Sequence, residues 1–119
     1  MLKLTLCFPE GNGVERSTQE WHSLTDAVNE VLNSYHECGD EPDVVFWYED
    51  HHGNTLAVVS PFQRLDEFHA RVVVTYPVTP GVSVNKVELY DIKYHITDAN
   101  GLDRVEVQRL PWPDKLGAI

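Results

Sequence analysis

The stretch Asp43-Val44-Val45-Phe46-Trp47-Tyr48-Glu49 constrains the fold more than any other part of the chain. Its apolar centre is entirely β-branched or aromatic, is fenced by acids, and is too short for a buried helix. It has the composition of a strand covered on both faces. A second run of strand character, Asn54-Thr55-Leu56-Ala57-Val58-Val59-Ser60, follows at once. The residues between the two, Asp50-His51-His52-Gly53, read as a tight hairpin loop in which Gly53 takes a positive φ. The rest of the chain is expected to cover or extend this ribbon.

Upstream, Leu2, Leu4, Leu6 and Phe8 alternate with Lys3, Thr5 and Cys7, the pattern of a strand with one apolar face. Pro9-Glu10-Gly11-Asn12-Gly13 ends it, with Asn12-Gly13 as a type I′ turn signal, and Val14 to Gln19 reads as a short polar edge strand. One helix is predicted. Ser23 is placed to cap it and Asp26 sits in the capping-box position. Leu24, Ala27, Val28, Val31, Leu32 and Tyr35 then follow at helical spacing, and Gly39 supplies the stop. An earlier start at Ser17, with Glu20 closing the box, would bring Trp21 onto the same stripe.

Downstream, Pro61 to Glu67 reads as a connecting loop with one helical turn. Phe68, Ala70, Val72, Val74 and Tyr76 alternate against His69, Arg71, Val73 and Thr75, as in a half-buried antiparallel strand. A further strand spans about Val82 to Ile96, with a bulge or bend expected near Asn85-Lys86 so that Lys86 and Glu88 are not both buried. A second Asn-Gly turn, Asp98 to Gly101, leads into a return strand from Asp103 to Leu110, and Pro111-Trp112-Pro113 prevents its extension. The expected class is α+β: a single amphipathic helix packed on one face of a curved, mainly antiparallel sheet of five to seven strands, in a hairpin meander. No Gly-rich phosphate loop or βαβ repeat is visible, which speaks against a nucleotide-binding α/β fold.

The 119 residues read as one domain, 1–119, with 42% apolar and 24% charged residues, as in an ordinary globular chain. No apolar run approaches the ~20 residues needed to span a bilayer. The alternating N-terminus reads as a strand and not a signal peptide, so a cytoplasmic location is expected. Cys7 and Cys38 have no redox or zinc spacing and read as reduced thiols. Charge is the outlier: nine Lys+Arg against 19 Asp+Glu give −10. Such a surface repels phosphate backbones and anionic lipids and attracts basic surfaces, so a basic protein partner is expected, with no direct contact to nucleic acid or membrane.

No stretch carries a specific catalytic motif. His51-His52 follow Glu49 and Asp50, but adjacent strand residues point to opposite faces, so a solvated turn is expected there and not a metal site. His36, Cys38 and Asp40 lie at the helix exit without a common period. His69 or His95 could form a base-and-carboxylate pair with Asp66, Glu67 or Asp91 only where a pocket accompanies them. Neither metal nor cofactor is expected. Glu37, Asp40, Glu41 and Asp43, then Glu49 and Asp50, then Asp66 and Glu67, would form an acidic partner-docking rim if the helix exit and the hairpin tip share one end of the sheet. Trp47 and Tyr48 are the candidate aromatic anchors beside it.

The leading expectation is a non-enzymatic acidic protein that occludes a basic surface of a nucleic-acid-handling partner. A phage or plasmid counter-defence factor (anti-CRISPR or antirestriction) or a toxin-immunity protein would act in this way. The alternative is a small-molecule-binding or acid/base catalytic domain, with its pocket between helix and sheet and His69 or His95 as the acid/base. The third reading is a structural or assembly subunit, in its simplest form a homodimer, built through an open sheet edge or the second sheet face.

Overall fold

The computed structural model describes residues 1–35, 45–66, 68–77, 86–96 and 103–111. Among them are β1 (Leu2–Glu10), β2 (Gly13–Trp21), α1 (Leu24–Ser34), β3 (Phe46–Glu49), β4 (Thr55–Asp66), β5 (His69–Tyr76), β6 (Lys86–Ile96) and β7 (Asp103–Leu110). The strands form one sheet in the order β2-β1-β3-β4-β5-β6-β7, and every neighbouring pair is antiparallel. β2 and β3 both run against β1, so they run parallel to each other on either side of it. A tight hairpin cannot join two parallel strands, and the chain has to leave the sheet between them. The helix α1 lies in that link.

The expected α+β arrangement, an amphipathic helix packed on one face of a curved meander, is overturned. The fold is sheet-dominated: among the described residues seven antiparallel strands set it, and the single helix is 11 residues long. The sheet grew at the expense of predicted loops. β2 runs for nine residues through the polar segment, which excludes the helix start at Ser17. β4 continues to Asp66 through the predicted Pro61–Glu67 connection. Among the described residues β3 pairs with β4 no further than Val59, and beyond that point β4 pairs with β5. Proline is tolerated at a bulge, and the pairing absorbs the rest in register shifts between Pro61 and Gln63 and between Arg64 and Asp66. The meander is also incomplete, since β2 lies outside β1.

Two local expectations shift as well. The first hairpin turns on Gly11 and Asn12, one residue earlier than the Asn12-Gly13 signal, because Glu10 pairs with Gly13. Gly11 has φ 59° and Asn12 does not have a positive φ, the sign pattern of a type II′ turn and not of type I′. The expected bulge near Asn85-Lys86 does not enter β6, which pairs with β5 without a shift from Lys86 to Lys93. Glu88 therefore points inward and is only 6% exposed. Its carboxylate accepts a hydrogen bond from the Tyr90 hydroxyl at 3.1 Å and pairs with Arg109 at 3.2 Å and Lys86 at 3.6 Å. Lys86 itself stays exposed and lies 5.2 Å from the centre of the Tyr76 ring. One buried charge with partners replaced the two unpartnered ones that the pattern seemed to demand.

The core lies on the face that α1 covers. Ala27, Val28, Val31 and Leu32 pack there with Leu4, Phe46, Tyr48, Ala57, Val59, Val72, Val74 and Ile92. The helix begins where the sequence places it: Ser23 is extended, its hydroxyl accepts from the Asp26 backbone N–H at 3.1 Å, and Asp26 is in the first turn. The Gly39 stop and the Asp98–Gly101 turn lie outside the described residues. No helix among the described residues is long and apolar enough to cross a membrane. Replacing Ser23 with Ala should cost about 1 kcal/mol by stranding an N-terminal amide, and calorimetry should show a melting temperature lowered by a few degrees.

Candidate functional site

Register places the cavity. Leu6 pairs with Ser17, Leu4 with Gln19 and Leu2 with Trp21, so the polar side chains of β2 share the face that carries the core of β1. Leu6 also pairs with Tyr48 of β3. The helix covers this face only in part, and a cavity of about 300 Å³ remains between its second half and β2, β1 and β3. Leu6, Phe46 and Tyr48 line the sheet side, Glu30, Val31 and Ser34 the helix side, and Ser17, Gln19 and Trp21 the wall along β2. Phe46 is further braced by Phe8 and Tyr35, with ring centres 5.7 and 6.1 Å away.

Among the described lining residues Glu30 is the one charged group. Tyr48 is 2% exposed and donates its hydroxyl to the Ala27 carbonyl at 2.9 Å. Burial, and then the Glu30 carboxylate, push its phenol up to about 12. The tyrosine is thus held neutral and bonded to the helix, and the exposed Glu30 stands at the lip. A hollow with an apolar floor, a polar wall and one carboxylate among its described residues suits an apolar body carrying a cationic head.

Of the residues singled out in the sequence, the described ones do not come together in one place. Glu37, Asp40, Glu41, Asp43, Glu67, His36 and Cys38 lie outside the described residues. Glu49 and Asp50 are at the β3–β4 tip, whereas Asp66 closes the far end of β4. Twelve strand residues separate those ends by roughly 36 Å, so these three acids form no common rim. Asp50 is occupied in its own turn: one carboxylate oxygen accepts from the amides of His52 and Asn54, both at 2.9 Å, and Gly53 has φ 82°. These bonds, that of Asn54 first, hold its carboxyl below the usual range. Tyr48 belongs to the core and presents nothing to a partner. Trp47 lies on the opposite face, half-buried, with its indole N–H donated to Glu49 at 2.8 Å.

None of the described histidines lines the cavity. His69 and Asp91 do meet, on the face opposite the helix. The His69 Nε2 lies 2.6 Å from a carboxylate oxygen of Asp91, and Arg71 Nε donates to the same oxygen at 3.0 Å. Burial tends to raise the Asp91 carboxyl, but the hydrogen bonds and charges of His69 and Arg71 outweigh it and hold the carboxyl below its ordinary value. His95 pairs with Glu106 at 3.1 Å, and the His51 and His52 rings lie tilted at 43° to each other at the exposed tip, with centres 3.8 Å apart. No group of three or more His, Cys, Asp or Glu among the described residues is arranged to hold a metal ion. The pocket of the alternative reading exists, but neither His69 nor His95 lines it.

The second face has its own pattern. By register Lys3, Arg16, Arg71, Lys93 and Arg104 share it with Glu20, Glu49, Asp66, Asp91 and Glu106, so its charges balance. The surplus of acid therefore lies elsewhere. Between the charged rows, Cys7, Trp47, Val58, Thr75 and Val87 form a continuous cross-strand row over five strands, and Val73, Leu89 and Leu110 a second row beside it.

Comparison with known proteins adds no template: no family model, curated protein or solved structure matches the chain. Sequence patterning missed Ser17, Gln19, Glu30 and Ser34 as cavity residues. β2 is polar at nearly every position, so its inward parity left no apolar signal, and Glu30 simply flanks the apolar stripe of α1.

Because the pKa of Asp91 is lowered in the folded chain, its ion pairs stabilise at pH values above the usual carboxylate range, and that contribution is lost as pH falls through the folded value. Asp91→Asn should cost roughly 2 kcal/mol near neutrality, where it also strands Arg71. Urea unfolding at a series of pH values should show the gap from wild type closing below about pH 4.

Proposed function

We propose that this chain is a binding protein that takes a Lys or Arg side chain of a basic partner protein into the cavity beneath α1. The observation that carries the reading is the chemistry of the lining: a hollow of about 300 Å³ with Leu6, Phe46 and Trp21 on its walls and Glu30 as the charged group among its described residues, in a chain of net charge −10. The aliphatic stem of a Lys or Arg packs on Leu6 and Phe46, the indole of Trp21 offers its face to the cation, and Glu30 meets the head group. The net charge steers the encounter and selects basic surfaces. Inhibition of a nucleic-acid-handling partner, by covering the cations that would hold phosphates, is the form of this activity that the charge favours. The reading moves the anchor from the hairpin acids to the cavity and keeps occlusion as the mechanism.

The test is a fluorescence-anisotropy titration with a labelled lysine- and arginine-rich peptide, alongside its lysine-acetylated counterpart and the free amine butylamine. Glu30→Gln, at an exposed helix position, should leave the fold intact and weaken peptide binding about tenfold, or about 1.4 kcal/mol. Trp21→Ala should weaken it by a similar factor. Affinity that ignores both substitutions would remove the cavity from the reading. Equal affinity for butylamine would make the chain a small-molecule carrier instead.

A further inference from the structure

β2 offers its outer edge to one more strand, and we infer, resting on the cavity reading above, that the partner's basic segment is extended and joins the sheet there. Among the described residues β2 pairs with β1 alone, and every residue from Gly13 to Glu20 is exposed. The register with β1 runs from Gly13 to Trp21 without a shift, and β2 contains no proline. An edge of this length, unbroken by a bulge, is a template for strand addition.

The first hairpin settles which groups are on offer. Its two-residue loop makes Glu10 and Gly13 a hydrogen-bonded pair, so the alternation of the ladder turns the N–H and C=O of Gly13, Glu15, Ser17, Gln19 and Trp21 toward β1. Those of Val14, Arg16, Thr18 and Glu20 turn outward. Thr5 and Thr18 accordingly form one of the closer, non-bonded pairs, and their hydroxyls meet at 2.9 Å. Charge then names the occupant. By register the cavity face of β2 carries Glu15 and no cation, and Glu30 stands on the helix side of the hollow. Ser17 and Gln19 line the hollow and are themselves exposed, so it opens toward this edge. Strands lie about 4.8 Å apart, so a Lys or Arg of an added strand has only β2 to cross before its stem reaches the hollow. On the other face Arg16 and Glu20 flank Thr18 and favour neither sign. The segment that fits has Lys or Arg at every second position and small polar residues between.

A fluorescein-labelled peptide of alternating lysine and threonine should bind, as read by anisotropy. With its lysines toward the cavity in an antiparallel strand, its threonine amides face β2. N-methylation of those amides should weaken binding about tenfold or more, and N-methylation of the lysine amides should not. Thr18→Pro deletes one outward N–H and no backbone bond to β1, so it should keep the wild-type circular dichroism and bind about tenfold more weakly. Binding that falls with Glu30→Gln but ignores both the methylated threonines and Thr18→Pro overturns the strand addition and leaves the cavity reading in place. Binding that responds to those two and ignores Glu30→Gln supports the strand addition and removes the cavity. A parent peptide that does not bind overturns both. A wild type that sediments as a dimer, and as a monomer after Thr18→Pro, makes a second copy the occupant and overturns the basic partner strand.

Discussion

The two strands beside β1 point the same way, and the rest of the architecture depends on that constraint. Had β3 followed β2 on the same side, a short turn would have sufficed and the sheet would have been a simple ribbon of hairpins. Instead the chain steps over β1, and the step contains α1. The helix is therefore a consequence of topology. Its apolar stripe gives one sheet face a core, and its short length leaves part of that face open. The cavity, its lip carboxylate and the neutral Tyr48 beneath all follow from an 11-residue helix covering less than the strands offer.

The two faces of the sheet solve their polar problems differently. Beneath the helix, Glu88 is drawn into a nest of Tyr90, Arg109 and Lys86, and burial followed by the Glu88 charge raises the neighbouring Tyr76 and Tyr90 phenols. On the other face Asp91 is bound by His69 and Arg71. Each buried carboxylate receives cations from an adjacent strand, and these contacts fix the pairing of β5, β6 and β7 against slippage, since a one-residue shift would strand every charge. Charge sorting follows the same division. Among the described residues, the helix face holds the cavity, and the second face holds the balanced rows and the apolar band.

What could be read from the sequence was local. The Ser23 cap, the stripe from Leu24 to Leu32, the positive φ of Gly53 and the alternation from Ala70 to Val74 depend on neighbours a few residues apart, and the structure has them all. What could not be read was set across the sheet. β2 shows no apolar alternation because β1 alone holds it, and distal β4 contains a proline that its pairing with β5 accommodates through register shifts. The inward turn of Glu88 needs Arg109, a strand away, to make sense. These are also the places that moved the class from a helix-on-sheet design to a sheet-dominated one. The cavity was illegible for the same reason: its walls come from four elements, and only Trp21 drew notice beforehand, as a residue packed at the helix entrance.

β2 forms one wall of the cavity and is also an outer strand, bonded on one side to β1 and exposed along nearly its whole length. Strands held in this way open to solvent more readily than interior ones, so their amide protons exchange early. An occupant resting on Ser17, Gln19 and Trp21 would tie that strand to the helix across the hollow. The most easily frayed part of the sheet is thus also the part that would report occupancy, through slowed exchange confined to a single strand.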